Sequence, residues 1–455
     1  MNSPIADKQA LTRSRRAATA AAVGSLVEWY DFGLYGAAAA LVFNTYFFVA
    51  EDPATGLLLS FATFAVGYFA RPFGGVVFGH LGDRIGRKPV MIACLLLMGL
   101  STALIGLLPS YAMIGTAAPV LLVVLRVLQG LGAGAEYAGA VVLSSESAVP
   151  ARRGFYASWT GAGTWAGAVL GLLSMQLMVA VTGDNFLTWG WRIPFLASLV
   201  MLGISFYIRR RVRETDQFSA AKTQQRLERI PLVTLFRTEK RRVAVALGAS
   251  FITGFSYIPQ VWALSYLTNN LAFSAALALG INATILTVGF VFLPFFGYLG
   301  DRIGRRRLFM IGTSFAAIMA VPMFLVIDTR DPVLVTLALV VYFVGAVATS
   351  FAAQAAFLAE LFPPTLRYSG VAFARELAGA VLGGAAPLIA TAIMAATGTW
   401  HLIAVFMIIN ALVALVAVYF SRYFRSDRDQ GVVENFDEDT TGTIRTNLGK
   451  GEFVR

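Results

Sequence analysis

Charged residues are scarce in this chain of 455 residues, because Asp, Glu, Lys and Arg together make up 13% of the sequence. Soluble domains carry about 25% charged residues, so the composition excludes an ordinary soluble enzyme. The single cysteine, Cys94, excludes an intramolecular disulfide bond. The two histidines, His80 and His401, give no metal site, and no nucleophile–base pair stands out. We therefore expect a protein that is not an enzyme and needs no metal or cofactor.

Apolar residues make up 57% of the sequence, and the mean hydropathy is +0.70. A helix needs about 20 apolar residues to cross the hydrocarbon core of a bilayer. The sequence therefore predicts an all-α membrane protein with 12 transmembrane helices. The twelve apolar runs lie at 17–47, 55–81, 89–109, 117–145, 153–182, 189–208, 243–270, 275–299, 308–327, 332–361, 368–397 and 400–424.

A ten-residue pattern occurs twice, at 79–88 (Gly-His-Leu-Gly-Asp-Arg-Ile-Gly-Arg-Lys) and at 297–306 (Gly-Tyr-Leu-Gly-Asp-Arg-Ile-Gly-Arg-Arg). Charges this dense cannot lie in hydrocarbon, so each copy predicts a tight polar turn between two membrane helices. Its glycines permit positive φ and close helix approach. A second pattern, Glu-x-x-x-Pro-x-x-Arg, also occurs twice, at 146–153 and 360–367. The repeats predict two six-helix bundles with pseudo-two-fold symmetry.

Basic residues are distributed unevenly along the chain. If the amino terminus is cytoplasmic, most of the 36 Lys and Arg residues fall in cytoplasmic segments, whereas the outer loops hold only Arg192 and Arg330. We therefore expect both termini in the cytoplasm. The amino end shows no small-residue cleavage site, so we expect the first helix to be retained. The predicted organisation is an amino tail (1–16), a first bundle (17–208), a basic cytoplasmic linker (209–242), a second bundle (243–424) and a disordered tail (425–455).

A few charged residues lie inside the predicted membrane helices, where a charge costs about 2.5–3.5 kcal/mol on insertion scales. Glu28 and Asp31 are three residues apart, so both carboxylates project from one helix face. Two carboxylates that close repel each other, which makes this pair a candidate proton acceptor. The other intramembrane charges are Arg71, Arg126, Glu136, Arg375 and Glu376.

Spacing limits how these charges can pair. Arg126 and Glu136 are ten residues apart, about 15 Å along a helix, so each needs a partner on another element. The adjacent residues Arg375 and Glu376 diverge by about 100°, so at least one of them meets a different partner. The charges either lock helices together or serve a function, and intramembrane charge is functional by default. Glycine-rich runs at 161–167 and 383–384 instead predict helix-packing surfaces.

The repeated ten-residue pattern resembles the signature loop of the major facilitator superfamily. Other segments resemble its metabolite–proton symporter family: Glu-Trp-Tyr-Asp-Phe at 28–32, Arg-Pro-x-Gly-Gly at 71–75, Trp-Gly-Trp-Arg-Ile-Pro-Phe at 189–195 and Glu-Leu-Phe-Pro at 360–363. The resemblance runs up to about Phe424. Members take up carboxylates such as shikimate, 2-oxoglutarate and citrate, and also proline and betaine, with protons.

The resemblance implies the major facilitator fold and roles for single residues. Asp83 is similar to the acid that engages the start of helix 11 and stabilises the outward-open state, with Arg84 and Arg87 as its neighbours in the gate. Arg126 corresponds to a helix-4 arginine associated with proton transfer. The sequence departs from the family at 375–376, where relatives often have an uncharged aromatic–glutamine pair. This departure alters the wall of the predicted cavity.

Together these features predict a monomeric transporter in the cell inner membrane that contacts lipid and binds no nucleic acid. It imports a small organic acid, shikimate- or dicarboxylate-like, by proton symport with alternating access. Arginine binds carboxylates bidentately. The predicted substrate-binding residues are Arg71, Arg126, Arg375, Tyr30, Tyr35 and Gln129; the proton-coupling residues are Glu28, Asp31, Glu136 and Arg126; the gating residues are Asp83, Arg84, Arg87, Asp301, Arg302 and Arg305.

Three alternatives stay open at this point. A proline- or betaine-type zwitterion–proton symporter belongs to the same family, although the tail after Phe424 lacks the heptads of a coiled coil. A drug–proton antiporter is expected to show a Gly-Pro pair in helix 5, and the stretch 161–171 has no proline. A membrane sensor would bind a metabolite without moving it.

Overall fold

The computed structural model describes residues 4–49, 52–85, 87–134, 144, 148–149, 152–211, 231–363 and 366–421. Within these ranges the chain is helical, without β-strands. Eight of the described helices are long and apolar enough to cross a bilayer, and three shorter apolar helices accompany them. The predicted all-α architecture is confirmed, and together with Pro4–Leu41 the described residues hold twelve main helices. The helices are α1 Pro4–Leu41, α2 Pro53–Ile85, α3 Arg87–Leu107, α4 Ala117–Ala133, α5 Arg153–Thr182, α6 Arg192–Arg211, α7 Lys240–Asn269, α8 Ala275–Ile303, α9 Arg305–Ile327, α10 Pro332–Leu361, α11 (Arg367–Ala378, Gly379–Gly384 and Ala385–Thr397) and α12 His401–Phe420.

The repeated ten-residue pattern is more helical than the sequence predicts. In the second copy α8 continues to Ile303 and α9 begins at Arg305, so Gly304 alone forms the joint, with φ +95°. In the first copy α2 continues to Ile85 and α3 begins at Arg87. The predicted polar turn across the whole pattern is therefore wrong. A helix satisfies its own backbone hydrogen bonds beyond the hydrocarbon as well as within it, so polar residues extend the helices.

Several helix bounds also differ from the predicted apolar runs. α1 begins at Pro4, inside the stretch predicted as an amino tail. A short helix, Pro231–Thr238, lies within the predicted linker, while residues 212–230 and 422–455 fall outside the described residues. The fourth run was predicted to reach 145, and α4 is described as far as Ala133. Other short helices are Phe43–Tyr46, Tyr111–Ile114, Gly183–Asn185 and Phe186–Gly190.

The glycine-rich runs are packing surfaces, as predicted. A Cβ atom on Gly163 or Gly167 of α5 would overlap the main-chain carbonyl oxygens of Ala22 and Leu26 on α1. A Cβ atom on Gly384 of α11 would overlap the Cβ atom of Tyr68 on α2. Small residues let these backbones approach closely, which is how membrane helices gain packing energy without a hydrophobic driving force.

The two halves of the chain meet through two equivalent helix pairs, α2 with α11 and α5 with α8. A shift of six helices exchanges α2 with α8 and α5 with α11, so each pair maps onto the other, as pseudo-two-fold symmetry requires. Three helices of the second half contain a π-helical segment: Ile258–Trp262 in α7, Phe343–Ala348 in α10 and Gly379–Gly384 in α11. Such segments are frequent at functional sites. Those of α7 and α11 face the space between the halves.

Candidate functional site

A small cavity of about 30 Å³ lies between the two halves. Its walls come from α1, α2 and α5 on one side and from α7, α10 and α11 on the other. Aromatic rings, hydroxyl groups, an amide and charged groups all line it. The lining residues with such groups are Trp29, Tyr68, Arg71, Thr164, Trp165, Thr253, Ser256, Tyr257, Gln260, Phe351, Arg375 and Glu376.

Arg71 of α2 lies at the wall of this cavity between two carboxylates. Its Nη2 donates to Oε1 of Glu28 on α1 at 2.6 Å, and its Nε donates to Oε2 of Glu376 on α11 at 2.8 Å. The three residues are nearly inaccessible, with exposures of 0% for Glu28, 3% for Arg71 and 7% for Glu376. Glu28 and Arg71 belong to the first half and Glu376 to the second, so this charged triad joins the halves.

A second cavity, also of about 30 Å³, adjoins the first. Both are lined by Trp29, Tyr68, Tyr257 and Gln260. The hydroxyl groups of Tyr68 on α2 and Tyr257 on α7 are 2.6 Å apart and share a hydrogen bond across the halves. The second cavity is otherwise mostly apolar, with residues such as Phe64. The Tyr68–Tyr257 pair therefore stands between a charged compartment and an apolar one.

Arg126 of α4 begins a hydrogen-bonded chain that ends at Asp31 of α1. Its Nη1 donates to Gln129 Oε1, Gln129 Nε2 donates to Thr102 Oγ1 at 2.7 Å, and Thr102 Oγ1 donates to Asp31 Oδ2 at 2.8 Å. The guanidinium also lies 3.9 Å from the centroid of the Tyr35 ring. The chain connects a buried cation to a buried carboxylate entirely within the first half, which is how a low-dielectric interior tolerates both.

Arg375 and Glu376 have different partners, as their adjacent positions on α11 predict. Arg375 Nη1 donates to Gln354 Oε1 on α10 at 3.0 Å, and its guanidinium lies 5.0 Å from the centroid of the Phe351 ring. Glu376 instead forms an ion pair with Arg71. Both side chains line the cavity. The second half thus presents one cation and one anion to the space between the halves.

The six predicted substrate-binding residues divide into two groups. Arg71 and Arg375 line the first cavity, whereas Arg126, Gln129, Tyr30 and Tyr35 are buried among helices of the first half. The Tyr30 hydroxyl donates to the Pro194 carbonyl at 2.8 Å. The Tyr35 hydroxyl donates to Thr63 at 2.6 Å. These tyrosines use their polar groups for packing within the first bundle.

The predicted proton-coupling residues also separate. Glu28 and Asp31 share a helix face, yet Glu28 contacts Arg71 and Asp31 contacts Thr102. Each carboxylate points toward a different neighbour. The two residues predicted to act as a close pair therefore belong to two separate hydrogen-bonding networks. Glu136 falls outside the described residues.

At the joint between α8 and α9, the second copy of the repeated pattern contacts the start of α5. Asp301 Oδ1 and Oδ2 accept hydrogen bonds from the main-chain N–H groups of Gly154 and Phe155 at 2.8 and 2.9 Å. Arg305 donates to Asp301 at 2.8 Å and forms an ion pair with Glu360. A carboxylate at a helix amino terminus meets free N–H groups and the positive end of the helix dipole. Asp301 therefore ties the second half to the first.

The structure says less about the contacts of the remaining predicted gating residues. Arg302 lies 4.7 Å from the centroid of the Tyr298 ring on its own helix. The side chains of Asp83, Arg84 and Arg87 are outside the described part of the chain. The contact implied for Asp83, with the start of helix 11, is the pseudo-symmetric equivalent of the contact that Asp301 makes with α5.

Sequence reasoning gave a site role to Arg71 and Arg375 alone among the lining residues named above, and so missed Glu376, Tyr68, Tyr257 and Gln260. Tyr68 lies three residues before Arg71 and so shares its helix face, which was an available signal. Tyr257 and Gln260 have the same three-residue spacing on α7. They lie opposite α2 because of the packing between the halves. Residue spacing along one helix does not predict that packing.

Comparison with known proteins identifies the family. Residues 17–230 match the family described as Sugar (and other) transporter, and residues 250–450 match the Major Facilitator Superfamily. The chain is 37% identical over 410 residues to the shikimate transporter of Escherichia coli (strain K12), which covers 89% of this chain and 93% of that protein. It is 33% identical over 425 residues to the proline/betaine transporter of the same organism, covering 88% of this chain and 82% of that protein.

Among solved structures, the D-xylose–proton symporter superposes with a TM-score of 0.69 at 19% sequence identity, covering 90% of this chain and 97% of that one. This likeness concerns the fold, whereas the two transporters named above are 37% and 33% identical in sequence over 89% and 88% of this chain. The twelve helices, the paired interfaces between halves and the two duplicated patterns agree with both comparisons. The chain belongs to the major facilitator superfamily and, within it, to the metabolite–proton symporter family.

Proposed function

We propose that this protein is a secondary active transporter that imports a small organic acid together with protons by alternating access. The observation that carries the proposal is the charged cavity between the halves, in which Arg71 comes from one half and Arg375 from the other. A carboxylate held between them would contact both moving parts of the protein. Arginine is suited to this role because its planar guanidinium binds carboxylates with two parallel hydrogen bonds.

The rest of the cavity wall suits a hydroxylated or ring-shaped acid. Thr164, Thr253 and Ser256 bring hydroxyl groups, while Trp165 and Phe351 stack on each other with ring centroids 5.4 Å apart. Pockets for small molecules typically combine such apolar and aromatic walls with a few polar groups that fix orientation. A shikimate-like acid is therefore the first candidate substrate, and a dicarboxylate that spans the two arginines is the second.

A zwitterion such as proline or betaine is the alternative substrate class. Its favouring observation is Glu376, a carboxylate that lines the same cavity as the two arginines and could face an ammonium group. The identity to the proline/betaine transporter is compatible with this alternative. A zwitterion requires Glu376 to be ionised, because the carboxylate must hold a cation. An anionic acid instead requires Glu376 to be neutral.

The proposal extends to location and organisation. We propose a multi-pass protein of the inner membrane, as one relative 36% identical over 387 residues is named an inner membrane metabolite transport protein. Both termini are assigned to the cytoplasm from the positions of the basic residues. The bundles are assigned to 17–208 and 243–424, and the transporter is taken to act as a monomer in contact with lipid.

Counterflow in proteoliposomes tests the proposal. The purified full chain is reconstituted, loaded with one unlabelled compound, and assayed for uptake of the same labelled compound, across shikimate, 2-oxoglutarate, citrate, aromatic acids, proline and betaine. We expect exchange of at least one acid, and its loss in Arg71→Gln. Arg237→Gln is the matched control, because Arg237 is exposed on a short helix outside the bundles.

Other outcomes decide between the alternatives. Exchange confined to proline or betaine would favour the zwitterion carrier. Specific binding without any flux would favour a membrane sensor. Net uptake into vesicles that ignores an imposed proton gradient would identify a facilitator without proton coupling.

A further inference from the structure

The charged triad holds more carboxylates than cations. Glu28 and Glu376 both contact the one guanidinium of Arg71, and all three residues are almost fully buried. The triad taken alone thus carries two negative charges and one positive charge, and a proton on either carboxylate would balance it.

The two carboxylates differ in what happens when the halves move. Glu28 and Arg71 lie on α1 and α2 of the same bundle, so their contact can persist while that bundle moves as a body. Glu376 reaches Arg71 from α11 of the other bundle, and it lines the cavity. Alternating access moves one bundle against the other around a central site. The Arg71–Glu376 contact is therefore the one that must break and re-form.

We propose that Glu376 is the residue that couples proton binding to substrate binding, and that its carboxylate occupies the substrate's place on Arg71 in the empty protein. This inference rests on the proposed function. A proton from water binds the Glu376 carboxylate and releases Arg71 Nε, which then donates to the carboxylate of the incoming acid. Removing one partner from a buried ion pair is costly, so Arg71 accepts the acid as the replacement anion.

The charges around Glu376 stay balanced in this exchange. Arg71 and Tyr68 face it from α2, Glu28 lies behind Arg71 on α1, Tyr257 faces it from α7, and Arg375 is its neighbour on α11. The loaded site gains one substrate negative charge and one proton, so its total charge does not change. The substrate class that fits is therefore a monocarboxylate, carried with one proton in an electroneutral step.

The Glu376→Gln variant tests the inference in the purified, reconstituted full chain. Shikimate and benzoate serve as probes, and binding is followed by the fluorescence of Trp29 and Trp165, which line the cavity. In the wild type we expect the affinity for either acid to fall as the pH rises, by about tenfold per pH unit at most, because each bound carboxylate is taken up with one proton. In Glu376→Gln we expect tighter binding than the wild type at alkaline pH, a flat pH profile, and loss of uptake driven by a proton gradient.

Two further variants keep the test decisive. Glu376→Asp retains a titratable carboxylate on a shorter side chain and should retain a pH-dependent affinity. Asp328→Asn is the matched control for replacing a carboxylate by an amide, because Asp328 lies after α9 and accepts a hydrogen bond from Trp400 Nε1 at 2.7 Å, away from the cavity. It should keep the wild-type pH profile.

Several results would overturn the inference. A Glu376→Gln variant with the wild-type pH dependence would place the coupling proton elsewhere. A folded Glu376→Gln variant that binds neither acid would show that the substrate needs the ionised carboxylate, as a zwitterion does. Uptake by the wild type that responds to membrane potential without a pH gradient would contradict electroneutral coupling. Exchange of 2-oxoglutarate or citrate but of neither monocarboxylate would overturn this inference and leave the proposed function standing, whereas failure of the wild type to exchange any acid of the panel would overturn the proposed function itself.

Discussion

Asp301→Asn is expected to loosen the contact between the two halves at the α5–α8 end. The carboxylate accepts two main-chain hydrogen bonds from the start of α5, at 2.8 and 2.9 Å, and its side chain is 5% exposed. Hydrogen bonds to a charged group contribute about 1.5–3 kcal/mol each. The amide keeps one acceptor oxygen and the shape but loses the charge.

We therefore expect a cost of about 2 kcal/mol to the state in which these ends touch, or about 30-fold in the equilibrium between open and closed ends. The distance between two spin labels measures this equilibrium. The chain has one cysteine, the buried Cys94, so a Cys94→Ser background allows single labels at two introduced cysteines. Arg152 before α5 and Arg307 in α9 are exposed and flank the contact. The label-to-label distance should lengthen in Asp301→Asn.

The matched control is Asp331→Asn. Asp331 accepts two main-chain hydrogen bonds, from Val333 and Leu334 at 2.9 Å each, at the start of its own helix α10. The chemistry is the same, but the contact stays within one half. Asp331→Asn should lower thermal stability and leave the label distance unchanged. Equal distances in wild type and Asp301→Asn, or equal shifts in both variants, would refute the reasoning.

Three other predictions concern the site itself. Arg126→Lys keeps the charge but loses the planar group that lies over the Tyr35 ring. Transport should therefore fall about tenfold or more while the protein still folds. Unchanged uptake would contradict the role of the planar group. Tyr68→Phe removes the hydrogen bond to Tyr257, worth about 1 kcal/mol, and should shift the spin-label distance by less than Asp301→Asn does. Arg375→Gln should raise the half-saturating substrate concentration about tenfold; unaltered affinity with reduced thermal stability would make Arg375 a helix lock rather than a ligand.

The sequence predicted the fold well because a membrane helix is encoded locally. The run at 153–182 coincides with α5, and the run at 275–299 lies within α8. Hydropathy reports only the part of a helix that meets lipid, so it could not predict that α8 continues to Ile303 with Gly304 as the joint. The need for a positive φ at a glycine was predictable, because the pattern places glycines where two helices must turn.

The partners of the charged residues could not be predicted in the same way. Spacing correctly indicated that Arg375 and Glu376 would separate, because adjacent residues on a helix diverge. It could not indicate that Glu376 would reach Arg71, since these residues are far apart in sequence and meet only when the halves pack. Residue spacing along a helix predicts which side chains share a face. Packing between the bundles determines which residues that face contacts.

The intramembrane charges therefore form two kinds of network with different consequences for a moving protein. The chain from Arg126 to Asp31 lies within the first half, so a rigid movement of that bundle leaves its hydrogen bonds intact. The contact of Arg71 with Glu376 crosses the halves and cannot survive their separation without a substitute. An unpaired buried charge is costly, so in the proposed mechanism separation is favoured once a proton and an anion have taken over the two partners. The proposed symport would then link solute and proton through a single contact.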